Sequence, residues 1–225
     1  MSNNFINHLL SESASMPRLI PPAEFARKLE SFERNISEAE YFLKQGTVEY
    51  SVPSITLPKG YSLLQSAKEH TGKCGEEQIK IRLVFGDEII YAVNLNILDG
   101  VVNGKHCTQV MVWRSINDDH EDVLTGFARK MFEHFVEEYV VIVSDDEQTT
   151  DGRRFWQTRI LNALRKGAFV YFTDMNELDD DMINIIHHVA SQEEFNDKWY
   201  DHGWGEAEEY KDRLFIISKD ELELA

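Results

Sequence analysis

Apolar and polar positions are most regularly ordered between Ile79 and Leu98. Ile79–Phe85 reads as one strand, and Gly86-Asp87-Glu88 is a tight connection. Ile89–Leu98 reads as a second strand, with Tyr91, Val93, Leu95 and Ile97 alternating against Ala92, Asn94 and Asn96. Asp99-Gly100 and Asn103-Gly104 are hairpin-type turn signals. Cys107–Trp113 follows as a third strand.

The period then changes from two to three and four. Leu124, Ala128, Phe132 and Val136 form one row, and Phe127, Met131 and Phe135 the row beside it. Together they predict a helix with a broad buried face. The acidic run Asp118–Asp122 suits the positive end of its dipole. Tyr139–Val143 is a continuous apolar run, the pattern of a strand covered on both faces. A polar stretch, Ser144–Gly152, leads to a second helix, Phe155–Lys166, stopped by Gly167. Ala168–Phe172 is a further strand.

The flanks are organised differently. Pro22–Leu43 predicts a helix, with Phe25, Leu29, Phe32, Ile36 and Ala39 on one face. Val48–Leu57 is a candidate strand, and Tyr61–His70 is read as a short helix. Beyond Asp174 the predicted elements are two helices, Asp180–Ala190 and Gln192–Trp199, and a strand, Arg213–Ile217. The resulting division is an N-terminal helical extension over 1–47, an α/β core over 48–174, and an acidic segment over 175–225 that completes the same domain.

Composition narrows the function classes. With 42% hydrophobic residues, 225 residues can bury a sizeable core, and no run of about 18 apolar residues predicts a membrane span. The N-terminus lacks the pattern of a secretory signal, so the expected location is the cytoplasm. Cys74 and Cys107 read as free thiols. Forty acidic against 23 basic residues give a formal net charge of −17, which disfavours nucleic-acid binding. That charge fits a solvated surface, or an acidic face that docks on a basic protein. From Asp174 to Ala225 sixteen acidic residues face four basic ones.

Chemical motifs exclude several reactions. There is no nucleophile elbow and no Walker-type loop, so neither a hydrolase nor ATP-dependent phosphoryl transfer is expected. His187 and His188 are adjacent on a predicted helix and would diverge, so no metal site is expected. Trp199, Tyr200 and Trp204 fit either a partner anchor or a cover over the core.

The order hairpin, third strand, helix, buried strand, helix, strand over Ile79–Asp174 resembles the GNAT (Gcn5-related N-acetyltransferase) fold. Leu124-Thr125-Gly126-Phe127-Ala128 is similar to the end of that family's Gly-x-Gly/Ala loop. Val143–Thr149, followed by Gly152 and Phe155-Trp156, is similar to a segment of phage-encoded members. The resemblance implies a central mixed sheet flanked by helices, with the third strand splayed from the next. It implies acetyl-CoA in that gap, its pyrophosphate on backbone N–H groups at a helix start. On this chain the cofactor-binding positions would be Val112, Arg114, Thr125, Gly126, Phe127, Ala128 and Ser144. Two departures are visible: Val123 stands where the family has Arg or Gln, and the helix at Phe155–Lys166 carries no tyrosine to protonate the leaving thiolate.

Transfer of an acyl group to an amine needs a base. Glu88, Asp145 and His106 are the candidates near predicted strand ends, although His106 also fits an exposed turn. Ser144, Asp145 or Thr150 could instead cap the following helix. The expected activity is therefore acetyl-CoA-dependent N-acetyl transfer. The alternative is a non-catalytic acidic relative of phage origin that binds and modulates a basic host protein.

Overall fold

A computed structural model describes residues 18–19, 32–72, 75–98, 102, 105–143, 147–148, 150–180, 184–204 and 212–222. The fold is mixed α+β with mostly antiparallel strands, and the chain divides into two compact units. One comprises Ala26–Ile97 and Val110–His134, and the other Met1–Phe25, Leu98–Gln109 and Phe135–Ala225. Among the described residues no helix is long and apolar enough to cross a membrane.

The first unit is built on a meander. Strands β2 (Thr47–Glu49), β3 (Tyr61–Ser66), β5 (Glu77–Phe85) and β6 (Glu88–Ile97) pair antiparallel in that order, and β4 (His70–Thr71) pairs with β5. The β5–β6 hairpin has the register that its alternation predicts, Ile81 opposite Val93 and Ile79 opposite Leu95. Ile81, Leu83, Val93 and Leu95 are buried, while Lys80 and Arg82 are directed to the other face.

Helix α1 (Phe32–Lys44) packs on this sheet. Ala39 sits in a small cluster with Ile89 and Ala92, with Trp113 against it. Asn35 is buried on the same helix and makes two bonds to one residue of β6. Its Nδ2 donates to the Ile89 carbonyl at 2.8 Å, and its Oδ1 accepts the Ile89 N–H at 2.7 Å. The amide thereby satisfies both backbone groups where the strand begins.

The second unit contains β8 (Val140–Val143), β10 (Phe169–Leu178), β11 (Asn184–His188) and β12 (Arg213–Ser218). The order is β11-β10-β12-β8, all antiparallel, and β8 also pairs in parallel with the start of β7 (Cys107–Arg114). That parallel ladder runs over Cys107↔Val140, Thr108↔Val141 and Gln109↔Ile142. All four residues of β8 are buried, as their apolar run predicts. A two-residue strand, β1 (Arg18–Leu19), pairs in parallel with β9 (Glu147–Gln148). Helix α4 (Thr150–Arg165) buries Trp156 and Ile160. Phe172, Phe195, Trp199, Trp204 and Phe215 form an aromatic core, with Phe172–Trp199 centroids 4.4 Å apart and Trp204 stacked on Phe215 at 4.9 Å. Trp199 and Trp204 are thus cover over the core rather than exposed anchors.

Three sequence expectations are corrected. Tyr61–His70 is not helical: Tyr61–Ser66 is strand β3, because its edge pairs with β5 over five registered positions. Asp180–Ala190 is not a helix either. Asn184–His188 is strand β11, and its backbone bonds go to β10. In both cases long-range pairing outweighed the local pattern. Only Thr47–Glu49 of the stretch Val48–Leu57 and its neighbour is a strand. The predicted helix at Gln192–Trp199 is present as one turn, α5 (Gln192–Glu194), continuing in a π-helical turn, Phe195–Trp199. Residues 22–31 of the predicted N-terminal helix lie outside the described residues.

Replacing Asn35 with alanine strands the N–H and carbonyl of Ile89 in an apolar setting. Each buried unpaired group costs about 1–3 kcal/mol, so Asn35→Ala should lower unfolding stability by about 2–4 kcal/mol. Ser37→Ala, on the exposed side of the same helix, should change it by less than about 0.5 kcal/mol. Urea denaturation of the two variants checks both values.

Candidate functional site

The first unit gathers acid–base groups at one end of its sheet. Tyr61 opens β3, Phe85 closes β5, and Glu88 opens β6. After β7 the chain makes a 3-10 turn, Asp118–His120, in which the Asn117 side chain accepts the N–H of Asp119. That turn points His120 inward, 5% exposed, while Asp118, Asp119, Glu121 and Asp122 stay in solvent. The buried imidazole meets two partners. Its Nδ1 lies 2.7 Å from the Tyr61 hydroxyl, and its Nε2 lies 3.4 Å from Glu88 Oε2.

A carboxylate accepts only, so in the uncharged imidazole His120 Nε2 carries the hydrogen toward Glu88 and Nδ1 accepts from the Tyr61 O–H. The result is a continuous chain, Tyr61 O–H to His120 to Glu88. Phe85 covers it, with its ring 4.6 Å from that of Tyr61 and 5.5 Å from that of His120. Phe85 is itself 41% exposed, so the chain lies directly under the surface. Gly60, just before β3, is required here. It has φ +96°, and a Cβ on it would stand 2.8 Å from the Phe85 ring.

A second group of predicted residues lies further along the same unit. The helix expected from the acidic run onward is broken. Helix α2 (Glu121–Leu124) is a single turn, Thr125 is extended, and Gly126 has φ +73° before helix α3 (Phe127–Glu138) begins. Gly126 therefore stands at a helix start, and its Cα faces open space except for Arg129 Nη2, 3.8 Å from where a Cβ would be. The first-turn N–H groups of α3 lack intrahelical acceptors. Arg129, one turn in, places a cation beside this helix start, whereas Val123 offers none.

The remaining predicted positions fall as follows. Arg114 is exposed and paired with Glu121 at 2.7 Å, a surface ion pair worth at most about 1 kcal/mol. Val112 and Ala128 are half-buried, and Thr125 is exposed. Phe127 is buried with its ring edge-on to Tyr91 at 5.0 Å, so its side chain is packing. His106 belongs to the other unit, where it is exposed and its carbonyl accepts the Val140 N–H. Ser144 and Asp145 lie outside the described residues. Of the candidate bases, Glu88 is the one that the structure joins to other titratable side chains in this unit.

His120 and Tyr61 escaped sequence reading for a definite reason. His120 is hidden in an acidic run that reads as helix-dipole compensation, and its partners are 59 and 32 residues away. The available signal was that His120 is the one residue in Asp118–Asp122 that is not a carboxylate. His187 and His188, read as adjacent helical residues, lie on strand β11. His187 bonds Glu177 at 3.1 Å, and the ring of His188 lies 5.4 Å from that of Tyr171. Among the described residues no three His, Cys, Asp or Glu side chains group as metal ligands.

Burial, and then the fields of Glu88, Asp119 and Asp122, hold the Tyr61 phenol above its usual 10.0. On heating or in denaturant the unfolded chain releases this proton first as pH rises. The contribution of Tyr61 to stability is therefore complete below pH 10 and is lost as pH climbs toward the folded-state pKa. Wild-type protein should lose stability faster than Tyr61→Phe above that pH, measured by paired urea titrations. Glu88→Gln should lower the spectroscopic titration midpoint of Tyr61.

No protein-family model, curated protein or solved structure matches this chain.

Proposed function

We propose that the chain is an acyl-CoA-dependent N-acyltransferase of the GNAT kind in which Tyr61, His120 and Glu88 handle the proton. The observation that carries this reading is the hydrogen-bonded chain from the Tyr61 hydroxyl through buried His120 to Glu88. Two features support the GNAT part. The strands and helices expected from Ile79 to Asp174 occur in the expected order. Gly126, in a left-handed conformation, opens helix α3 with Arg129 beside it.

Acetyl-CoA, when bound, supplies the activated thioester. The N–H groups of Phe127 and Ala128, with the Arg129 guanidinium, would hold its pyrophosphate by partial and full positive charge. Tyr61 would take the proton of the attacking amine on its oxygen as its own proton passes to His120 Nδ1. The C–N bond would form as the thioester C–S bond breaks, and the departing CoA thiolate would take up a proton from solvent while the hydrogen-bonded chain returns its own to solvent. Glu88 would stabilise the imidazolium that forms. The high pKa of Tyr61 keeps the hydroxyl protonated at neutral pH, ready for that exchange.

A second reading is favoured by the exposed carboxylates Asp118, Asp119, Glu121 and Asp122 beside that helix start, which oppose a pyrophosphate. In it the chain, of net charge −17, is a non-catalytic acidic protein that docks on a basic host protein, of the kind phages encode. Such binding weakens steeply with salt.

Calorimetry with acetyl-CoA on folded protein separates the two. Saturable heat, lost in Arg129→Gln, is expected. Thiol release with a panel of amine acceptors should then fall about 100-fold in His120→Gln and in Glu88→Gln, with acetyl-CoA affinity unchanged. No heat with acetyl-CoA sinks the acyltransferase reading. Salt-sensitive capture of a basic protein would then support the second.

A further inference from the structure

The first unit also holds a concentration of positive charge that the acidic composition makes unexpected. Lys80 and Arg82 are two residues apart on β5 and so share one sheet face. On the same face the register brings His70 opposite Gln78, Asn94 opposite Lys80, and Leu64 opposite Arg82. Ser66 Oγ, 7% exposed by residue, lies 2.8 Å from His70 Nε2 and also accepts the Lys68 N–H at 3.2 Å. Lys68, His70, Lys80 and Arg82 are close enough that each cation beside His70 and Lys80 pushes their pKa down, in addition to the larger effect of burial.

Arg82 shows what the cluster lacks. Its Nη1 donates to the carbonyls of Ile81 at 2.8 Å and Val93 at 2.7 Å, and its Nη2 donates to Asn94 Oδ1 at 2.9 Å. Its guanidinium lies 5.6 Å from the Phe42 ring centroid, and burial brings its pKa down to about 10. All these partners are neutral. The field of Glu38, on the exposed side of α1, reaches Arg82 and Lys80, yet among the described residues neither cation has an ion-pair partner, nor has Lys68. A largely buried cation without a counter-charge is costly. In a chain with 40 acidic residues, a carboxylate could readily have been placed there.

We propose that this face of β5, bounded by Lys68, His70 and Ser66, is a binding site for the phosphoryl group of a small phosphate-bearing ligand. The geometry selects phosphate over carboxylate. Three of the five N–H donors of Arg82, both on Nη1 and one on Nη2, are taken by backbone carbonyls and Asn94, so its Nη1–Nη2 fork is not open to a bidentate carboxylate. The cations left to a ligand are the ammonium groups of Lys80 and Lys68, point charges with rotatable donors. His70 and Ser66 add a ring nitrogen and a hydroxyl, and Arg82 adds fixed positive potential from below. A tetrahedral dianion can take donors from several sides at once. The site is independent of the acyltransferase reading.

Titration of the full chain with inorganic phosphate and pyrophosphate, by calorimetry and by amide NMR shifts, tests the proposal. Saturable binding is expected, with shifts centred on Ser66–His70 and Gln78–Arg82. Lys80→Gln and Lys68→Gln should each weaken pyrophosphate binding by about tenfold, the value of one charge-assisted hydrogen bond. Lys44→Gln removes the same charge from the exposed end of α1 and should leave binding unchanged. Lys68 is exposed, so its variant remains informative if Lys80→Gln does not fold. Absence of saturable binding by folded wild-type protein overturns the proposal. So does binding that Lys80→Gln and Lys68→Gln leave intact, or that Lys44→Gln weakens equally.

Discussion

The two hydrogen bonds between Asn35 and the backbone of Ile89 govern the first unit more than any other contact. A side-chain amide has one acceptor and donors in a fixed plane, so it sets both the height and the rotation of α1 over the sheet. Ile89 is the second residue of β6, directly after Glu88. Holding Ile89 therefore holds the residue that positions His120. The same helix brings Phe42 beneath Arg82 and Ala39 against Ala92. One buried polar pair thus connects the packing of the helix to both groups of charged side chains in this unit.

Those two groups illustrate opposite uses of burial. At the Tyr61 end, burial and the fields of nearby carboxylates together keep the proton on the phenol oxygen. At the Lys80 end, cations crowd one another and burial disfavours their charge. Both arrangements are costly without a compensating role, because each leaves its groups away from their solution protonation balance. The mostly antiparallel architecture makes them compatible. Polar residues recur on one face every second position, while Ile81, Leu83, Val93 and Leu95 fill the other.

The second unit depends on burial of apolar strands rather than on polar pins. Residues Val140–Val143 have partners on both sides, Cys107–Gln109 in parallel and Val141–Val143 against β12. The final strand reaches that place from about seventy residues downstream by sequence, so β8 and β12 meet only when the chain has folded back. The aromatic cluster of Phe172, Phe195, Trp204 and Phe215 follows from the same insertion, since β12 supplies Phe215 at its centre.

Periodicity alone determined the β5–β6 hairpin, β7, the helix at Phe127–Glu138, β8 and α4, because in each the apolar spacing, a turn residue and the burial demand agree. A place near a predicted strand end singled out Glu88 as a candidate base, and the resemblance to the GNAT loop singled out Gly126. Tertiary structure decided what local pattern could not. Tyr61–Ser66 and Asn184–His188 became strands because sheet edges needed partners, against a helical local reading. His120 became a buried, hydrogen-bonded residue rather than one more member of an acidic helix start, because a single capped 3-10 turn rotated it inward toward groups 59 and 32 residues away. Antiparallel pairing decided that Lys80 and Arg82 share a face of β5 with His70 nearby, opposite Gln78. Sequence spacing encodes which side of an element a residue occupies; only the pairing of distant elements encodes what it meets there.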